Sequence, residues 1–466
     1  MSILEFRGEF AVASGWFARA QRLLEGCEPC AEHGWLALHE SAIALEGEGD
    51  AATGRRVGSE VAELGRTLGR ADLELIALAV EGLALVFEGE VEAGLRRLDH
   101  AAAAAVAGEV PEPVLAGWAC CYVLYACESV RDHARAEQWA RQTQALAERM
   151  HLRYLFRVCR THLAGVLTGF GAWENAEAEL RERIAELQAT RPLQSAEGVV
   201  RLAELRRRQG RVEEAASLFA EAEGHPQAVV GEAAIALAAG DAAGAADSLT
   251  VLLRQTPAEN CTARTAPLEL LVEARVATGE LASAREAHAQ LAAIAARCRT
   301  PHLRASARFA AGLIAVAEDD LTEARIAFED AVGGFRRARS PFECIRARLA
   351  LAGVLHELGR VEAGRRSADM ARDEAERLGA NAEHSRAVEL LAVIDARPGR
   401  SEAGPLTARE CEVLRLVADG LTDGEIAKRL VLSLHTVHRH VANIRHKLGT
   451  PSRAAAVATA RQRELI

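Results

Sequence analysis

The segment LHTVHRHVANIRHKL (434–448) concentrates the side chains best suited to recognition chemistry. Val437, Val441, Ile444 and Leu448 fall at i, i+4, i+7 and i+11, the spacing of a buried helical stripe. His435, His438, Arg439, Arg445 and His446 lie off that stripe. A single helix fits the major groove of a duplex, and outward Arg and other donors are what base edges and phosphates require. The amides at its N-terminus add an anion site.

Two weaker constellations stand far from this one. Cys27-Glu-Pro-Cys30 with His33 and His39 has zinc-like ligand types, but the segment reads as an inter-helix turn where Cys and Pro pack, so no metal is expected. All five Trp and all three Tyr lie within the first 173 residues. Trp118, Tyr122 and Tyr125 share one helical face; Arg153, Arg157 and Arg160 share another in the following unit. Aromatic and Arg faces brought together would suit an anionic or planar effector. The plainer reading packs the aromatics between units and leaves the arginines solvated.

Enzyme chemistry finds little to work with. Lys occurs only at positions 428 and 447, so residues 1–427 can hold neither a Gly-Lys-Ser/Thr phosphate loop nor a Schiff-base lysine, and a receiver domain with its lysine is excluded too. No nucleophile–base pair, catalytic carboxylate pair or Gly-rich nucleotide loop is evident. No catalytic residue, cofactor or enzyme activity is expected.

The elements that position the cationic helix are written as caps. Residues 396–405 (ARPGRSEAGP) form a linker of breakers and polar residues. Thr407-Ala-Arg-Glu410 and Thr422-Asp-Gly-Glu425 are capping boxes opening two helices, Ser433 can cap the third, and Thr450-Pro451 opens a fourth. The second and third are joined by Val431-Leu432, the spacing of a helix-turn-helix over about 421–440.

On these residues, residues 406–466 resemble the LuxR/FixJ-type helix-turn-helix of bacterial transcription regulators; the run LTARECEVLRLVADGLTDGEIAKRLVLSLHTVHRHVANIRHKLG (406–449), with Arg453 and Ala456-Val457, carries the likeness. The resemblance implies a four-helix domain whose third helix enters the major groove of double-stranded DNA and whose fourth makes a homodimer contact. It implies that His438, Arg439 and Ala442 face bases and that Thr436 and Lys447 contact phosphate. Glu410, Ile426 and Leu448 would be structural, while His440 and Asn443 match recurrent positions that serve either DNA or packing. Two residues depart from the family pattern: His438 replaces a usual Lys and Asp423 a usual Asn. A histidine is a weaker, pH-dependent cation, and Ala442 offers only an apolar contact, so sequence preference does not follow from the likeness.

The first 395 residues repeat. A turn residue followed five positions later by Ala or Gly recurs at Gly15/Ala20, Gly49/Gly54, Gly89/Gly94, Arg131/Ala136, Gly171/Ala176, Gly210/Ala215, Gly240/Ala245, Gly279/Ala284, Asp319/Ala324 and Gly359/Gly364, in steps of 30 to 42 residues. The turn residue closes one helix in a left-handed conformation, and the small residue lets the paired helices approach closely. Ile345, Leu349, Ala352 and Leu355 trace a helical stripe interrupted by Arg348. Such lengthened pairs resemble tetratricopeptide-type repeats, with residues 381–395 as a single capping helix. The fold expected is all-α: an α-solenoid of tetratricopeptide-like helix pairs (1–395), a linker (396–405) and a four-helix LuxR-type helix-turn-helix domain (406–466).

Charge divides the same way. The 466 residues carry 56 Lys+Arg and 66 Asp+Glu, net −10; the segment after residue 400 contributes ten basic and seven acidic residues, net +3, which leaves −13 on the array. An acidic array repels nucleic acid and suits a protein or small-molecule effector. No apolar run approaches about 20 residues and Leu75–Val86 is broken by Glu81 and Gly82, so no membrane is expected. Ten Cys without framework spacing, and no signal-like N-terminus, point to the cytoplasm. The function expected is a bacterial DNA-binding transcription regulator whose array senses an effector, with RNA polymerase a further partner to consider. The competing expectation is a scaffold whose tail plays a minor or dimerising role.

Overall fold

The computed structural model describes residues 9–149, 153–188, 192–396, 408–430 and 434–463, together with 406, 432, 465 and 466. Among the described residues the secondary structure is helical throughout.

Nine helix pairs run from Ala31 to Leu378, preceded by the helix Phe10–Leu24 and followed by Asn381–Ala396. The joints fall where the repeat placed them. Gly49, Gly89, Gly171, Gly210, Gly240, Gly279 and Gly359 have positive φ, and Arg131 (φ 56°) and Asp319 (φ 60°) adopt the same left-handed conformation at their joints. Gly15 is the exception. It lies inside the helix Phe10–Leu24 with open space around it, so the first repeat step marks no turn.

The small residue five positions on is buried in each pair, as at Ala136, Ala176, Ala215, Ala284 and Ala324. Gly94 shows why. A Cβ there would stand 2.5 Å from the Gly82 carbonyl and 2.7 Å from Val86 Cγ2. Gly94→Leu should therefore lower the unfolding free energy by about 1–3 kcal/mol through overpacking, read as a fall in urea midpoint.

The first helix of most pairs packs on the first helix of the next, as Ala71–Phe87 does on Pro113–Val130, forming an inner wall; the second helices lie outside. This wall coils back on itself. Asn381 Nδ2 donates to the Gln209 carbonyl (3.0 Å), 172 residues away, and the Cys261 thiol donates to the Glu88 carbonyl (3.3 Å), 173 residues away. One hydrophobic core accordingly holds both Leu38–Val166 and Ala233–Ile314 residues.

A polar seam runs between the two coils. Arg131 reaches His302 (2.5 Å) and Glu269 (3.5 Å), and Arg208 reaches Glu343 (3.0 Å). Arg131 donates to His302 Nε2, so the ring is neutral and its Nδ1–H donates to Ser340 Oγ (2.7 Å). His133 packs edge-on against His302 and is itself buried.

The helix Pro113–Val130 is long and apolar enough to cross a membrane, where no such run is expected, yet 56% of it is buried inside the array.

The C-terminal segment has a separate core of Leu406, Val413, Leu414, Val417, Ile426, Val437, Ile444, Leu448, Ala456 and Ala460. Its helices are Ala408–Ala418, Asp423–Leu430, Leu434–Leu448 and Arg453–Gln462. The second capping box forms: Thr422 N–H donates to Glu425 (2.8 Å) and Glu425 N–H to Thr422 Oγ1 (3.4 Å). The fourth helix begins later than Thr450-Pro451 suggests, because Ser452 is the cap and accepts from Ala455 N–H (3.1 Å). Thr407 and Ser433, read as caps, lie outside the described residues.

Candidate nucleic-acid interface

The helix Leu434–Leu448 is held against the other three helices of its domain. Val437, Ile444 and Leu448 are buried and Val441 is half-buried, so the apolar stripe faces inward. His438, Ala442 and Asn443 are exposed on the other side; Thr436 and Arg439 are half-exposed beside them. The tight turn before the helix is closed by Leu432 N–H donating to the Ala427 carbonyl (2.9 Å) and by Arg409 donating to the Leu430 carbonyl (3.1 Å). Arg453 fastens the fourth helix to the second through Asp423 (3.1 Å) and the Leu421 carbonyl (2.8 Å).

The two residues that depart from the usual family pattern face each other. His438 Nε2 lies 3.3 Å from Asp423 Oδ2. The His/Asp exchange therefore sits as one contact rather than as two separate departures. Lys447 has its own partner: Nζ spans both oxygens of the buried Glu410 at 2.7 Å. It ties the third helix to the first, and contact with a phosphate would compete with that ion pair. His440 is largely buried and lies 3.5 Å from Asp319 of the array.

Residues 404–460 match the family described as bacterial regulatory proteins, luxR family. The C-terminal segment is a LuxR-type helix-turn-helix domain. Similar sequences are an HTH-type transcriptional regulator of Mycobacterium tuberculosis, 46% identical over 67 residues (14% of this chain, 8% of the relative); the transcriptional regulatory protein DesR of Bacillus subtilis, 43% over 63 residues (14% and 32%); and the quorum sensing-dependent regulator VjbR of Brucella ovis, 43% over 68 residues (15% and 26%). The chain thus spans a third or less of these relatives' lengths. Among solved structures, a Rap protein complexed with competence and sporulation factor aligns with 81% of this chain and 96% of its own, at 14% identity and a TM-score of 0.44. The APC/C hetero-tetramer Cut9–Hcn1 aligns over the same shares at 12% identity and 0.36.

In the array in front of the LuxR-type domain, Arg160 is turned away from the aromatic face. Tyr122 is buried and its hydroxyl donates to Glu46 (2.5 Å), with Trp118 stacked on it at 6.3 Å. Tyr125 stacks on His162 at 4.5 Å. Arg160, two positions from His162 and so on the opposite side of its helix, is bound by Glu179 and Glu182 of the next helix. The side chains of Arg153 and Arg157 lie outside the described residues.

The inner wall instead gathers residues that the sequence did not single out. Arg201, with 5% of its side chain exposed, forks onto Glu128 (2.8 Å to each oxygen) and also holds Glu197. Glu128 Oε2 is 2.7 Å from His162 Nδ1, and Glu197 is 3.0 Å from His225. Burial opposes ionisation of Glu128, but Arg201 and His162 hold its carboxyl below the usual range. Burial would lower His162, yet hydrogen bonds with Cys121 and Glu128 raise it to about 10. Glu46 is pushed up to about 7 by burial, against the pull of the Tyr122 hydrogen bond. Glu46 and Glu197 nevertheless remain open to solvent.

The metal-like residues are used locally. Cys30 caps the helix Ala31–Ile43, with its thiol 3.2 Å from His33 Nδ1; the Cys27 thiol donates to the Leu23 carbonyl (3.4 Å), and His39 faces Phe17.

Proposed function

We propose that the chain is a bacterial transcription regulator, not an enzyme, whose C-terminal domain binds double-stranded DNA while the coiled array binds an effector that controls it. The observation that carries this is the outward face of Leu434–Leu448 in a LuxR-type domain: Arg439 and His438 as base-edge donors, Ala442 as an apolar contact, and Asn443 at its margin. Thr436 and Lys447 reach phosphate, Lys447 at the expense of its Glu410 pair. The domain pairs through Arg453–Gln462 and reads inverted half-sites about one helical turn apart. RNA polymerase is a further partner at the promoter, and the setting is the cytoplasm. The effector enters at the inner wall, where Glu46 and Glu197 stay open to solvent beside Trp118, Tyr122 and the Arg201 network.

A mobility shift with residues 406–466, which have their own core, tests the DNA-binding reading. The fragment should bind duplex in dilute buffer and lose affinity steeply with salt, since phosphate contacts release counterions. Arg439→Ala should weaken binding to a selected site by about 1–3 kcal/mol if the guanidinium meets a base edge. A folded fragment indifferent to duplex at low salt would sink this reading.

A further inference from the structure

The array's acidic turn sits on the helix that reads DNA. Helix Pro301–Ala317 ends at Glu318, Asp319 takes the left-handed joint, and Asp320 caps Leu321–Arg337 by accepting from Glu323 N–H (3.2 Å). Into this joint comes Arg439. Its guanidinium donates to the Asp319 carbonyl and lies 3.8 Å from Asp319 Oδ2 and 3.7 Å from Asp320 Oδ1. His440 Nε2 is 3.5 Å from Asp319 Oδ2. Glu318 is occupied by Arg285, so the two aspartates carry the contact.

A backbone carbonyl flanked by two carboxylates offers a guanidinium the acceptors that a phosphate or a guanine edge would offer. Arg439 cannot hold the turn and a base pair at once. The charge balance agrees, with a net +3 tail meeting a net −13 array. We infer that the Asp319–Asp320 turn is a docking surface for the chain's own DNA-reading helix, so that the docked array withholds Arg439 from DNA and an effector acts by releasing it. The inference rests on the DNA-binding reading above and adds its regulation.

The contact is weak by design of its parts. Arg439, Asp319 and Asp320 each keep 37–48% of their side chains exposed, and ion pairs so exposed contribute little each. The covalent linker raises the effective concentration of the turn at the helix into the millimolar range, so even a weak pair is populated. Such a latch yields to a modest change elsewhere in the array.

The test is the full-length double substitution Asp319→Asn/Asp320→Asn. Asn tolerates the left-handed conformation at 319 and caps a helix as well as Asp does at 320, so both structural duties survive while the charges go. On a duplex selected by the 406–466 fragment, the variant should bind roughly 3–10-fold tighter than wild type, as two or three half-exposed ion pairs warrant. Its salt dependence should steepen to that of the fragment, because salt no longer frees the helix while it weakens DNA contacts. Without DNA, amide exchange across 434–448 should quicken in the variant. Equal affinity and equal exchange in the two proteins would overturn the docking. Failure of the fragment itself to bind duplex would overturn the DNA-binding reading, and the exchange comparison would still decide the docking.

Discussion

Arg201→Leu should destabilise the array by about 3–5 kcal/mol, the cost of leaving a buried charge partner behind. The Arg201 side chain is 5% exposed and bridges Glu197 of its own helix to Glu128 of Pro113–Val130, two units back along the inner wall. Removing it strands the Glu128 carboxylate with only His162 as a charged partner. Urea unfolding of the full chain measures the loss. The double variant Arg201→Leu/Glu128→Gln should recover part of it, since the stranded carboxylate is gone. Arg56→Ala is a useful control: its pair with Glu60 has both side chains more than 60% exposed, and its removal should leave the midpoint within error. Should Arg201→Leu behave like that control, the network would be a surface ion pair and the enclosed inner wall would be misread.

Mild acid should cost the coil the stability held by two neutral buried histidines before it protonates ordinary carboxylates. Burial lowers His133 to about 4. Burial also places His302 well below the usual histidine value, with Arg131 adding to the effect. Groups from every side face this pair: Arg131, Asp132, Arg208 and Glu343. For a histidine with a depressed folded-state pKa, the unfolded chain takes the proton first. Stability is therefore present above about pH 6.5 and is lost as pH falls toward the folded value. His133 alone costs about 2 kcal/mol between pH 7 and pH 5, and His302 adds in the same direction. His162, raised to about 10, acts in the opposite sense. Its stabilisation is nearly complete by pH 6.5 and fades only toward alkaline pH; Glu46, pushed up to about 7, likewise gains stability as pH falls below 7, so the two offset the histidines and the His133 share is read as a difference between proteins. Read by thermal melting, the step from pH 7 to 5 should cost wild type more than His133→Phe, by about the 2 kcal/mol that His133 contributes. An equal change in the two proteins over that range would show that the His133 ring accepts protons freely in the folded array.

Local chemistry was legible where it was local. The joints at Gly89, Arg131 and Asp319 announce themselves because a left-handed residue followed by a small one at fixed spacing serves a single helix hairpin. Arg131 shows that the position, rather than glycine itself, carries the signal. Gly15 shares the spacing yet sits mid-helix, since nothing nearby in sequence distinguishes a tolerated helical glycine from a terminating one. The outward face of 434–448 was equally readable, because one buried stripe leaves one free side.

What the sequence hid was everything that depends on the coil closing. An inner-wall helix has an apolar face toward its pair and a polar face toward the enclosure, and that polar face is indistinguishable in pattern from a solvated one. Arg201, Arg208, Glu128 and Glu343 therefore resemble surface charges, although they meet across separate units or coils. Arg348 gave the one local hint. It interrupts an apolar stripe, and the structure buries it 3.3 Å from Glu374. The pairing of His438 with Asp423 also went unread, because each looked like a separate departure until the turn brought them together.

Stacked-repeat proteins ordinarily behave as strings of nearest neighbours, tolerant of units being added or removed. Bonds between segments some 172 residues apart remove that freedom here. Cutting away the final units would bare a charged strip on the opening ones, and inserting a unit mid-array would throw every later bond out of phase. The number of units is thus fixed by geometry, and the array should come apart as one body instead of fraying inward from its ends.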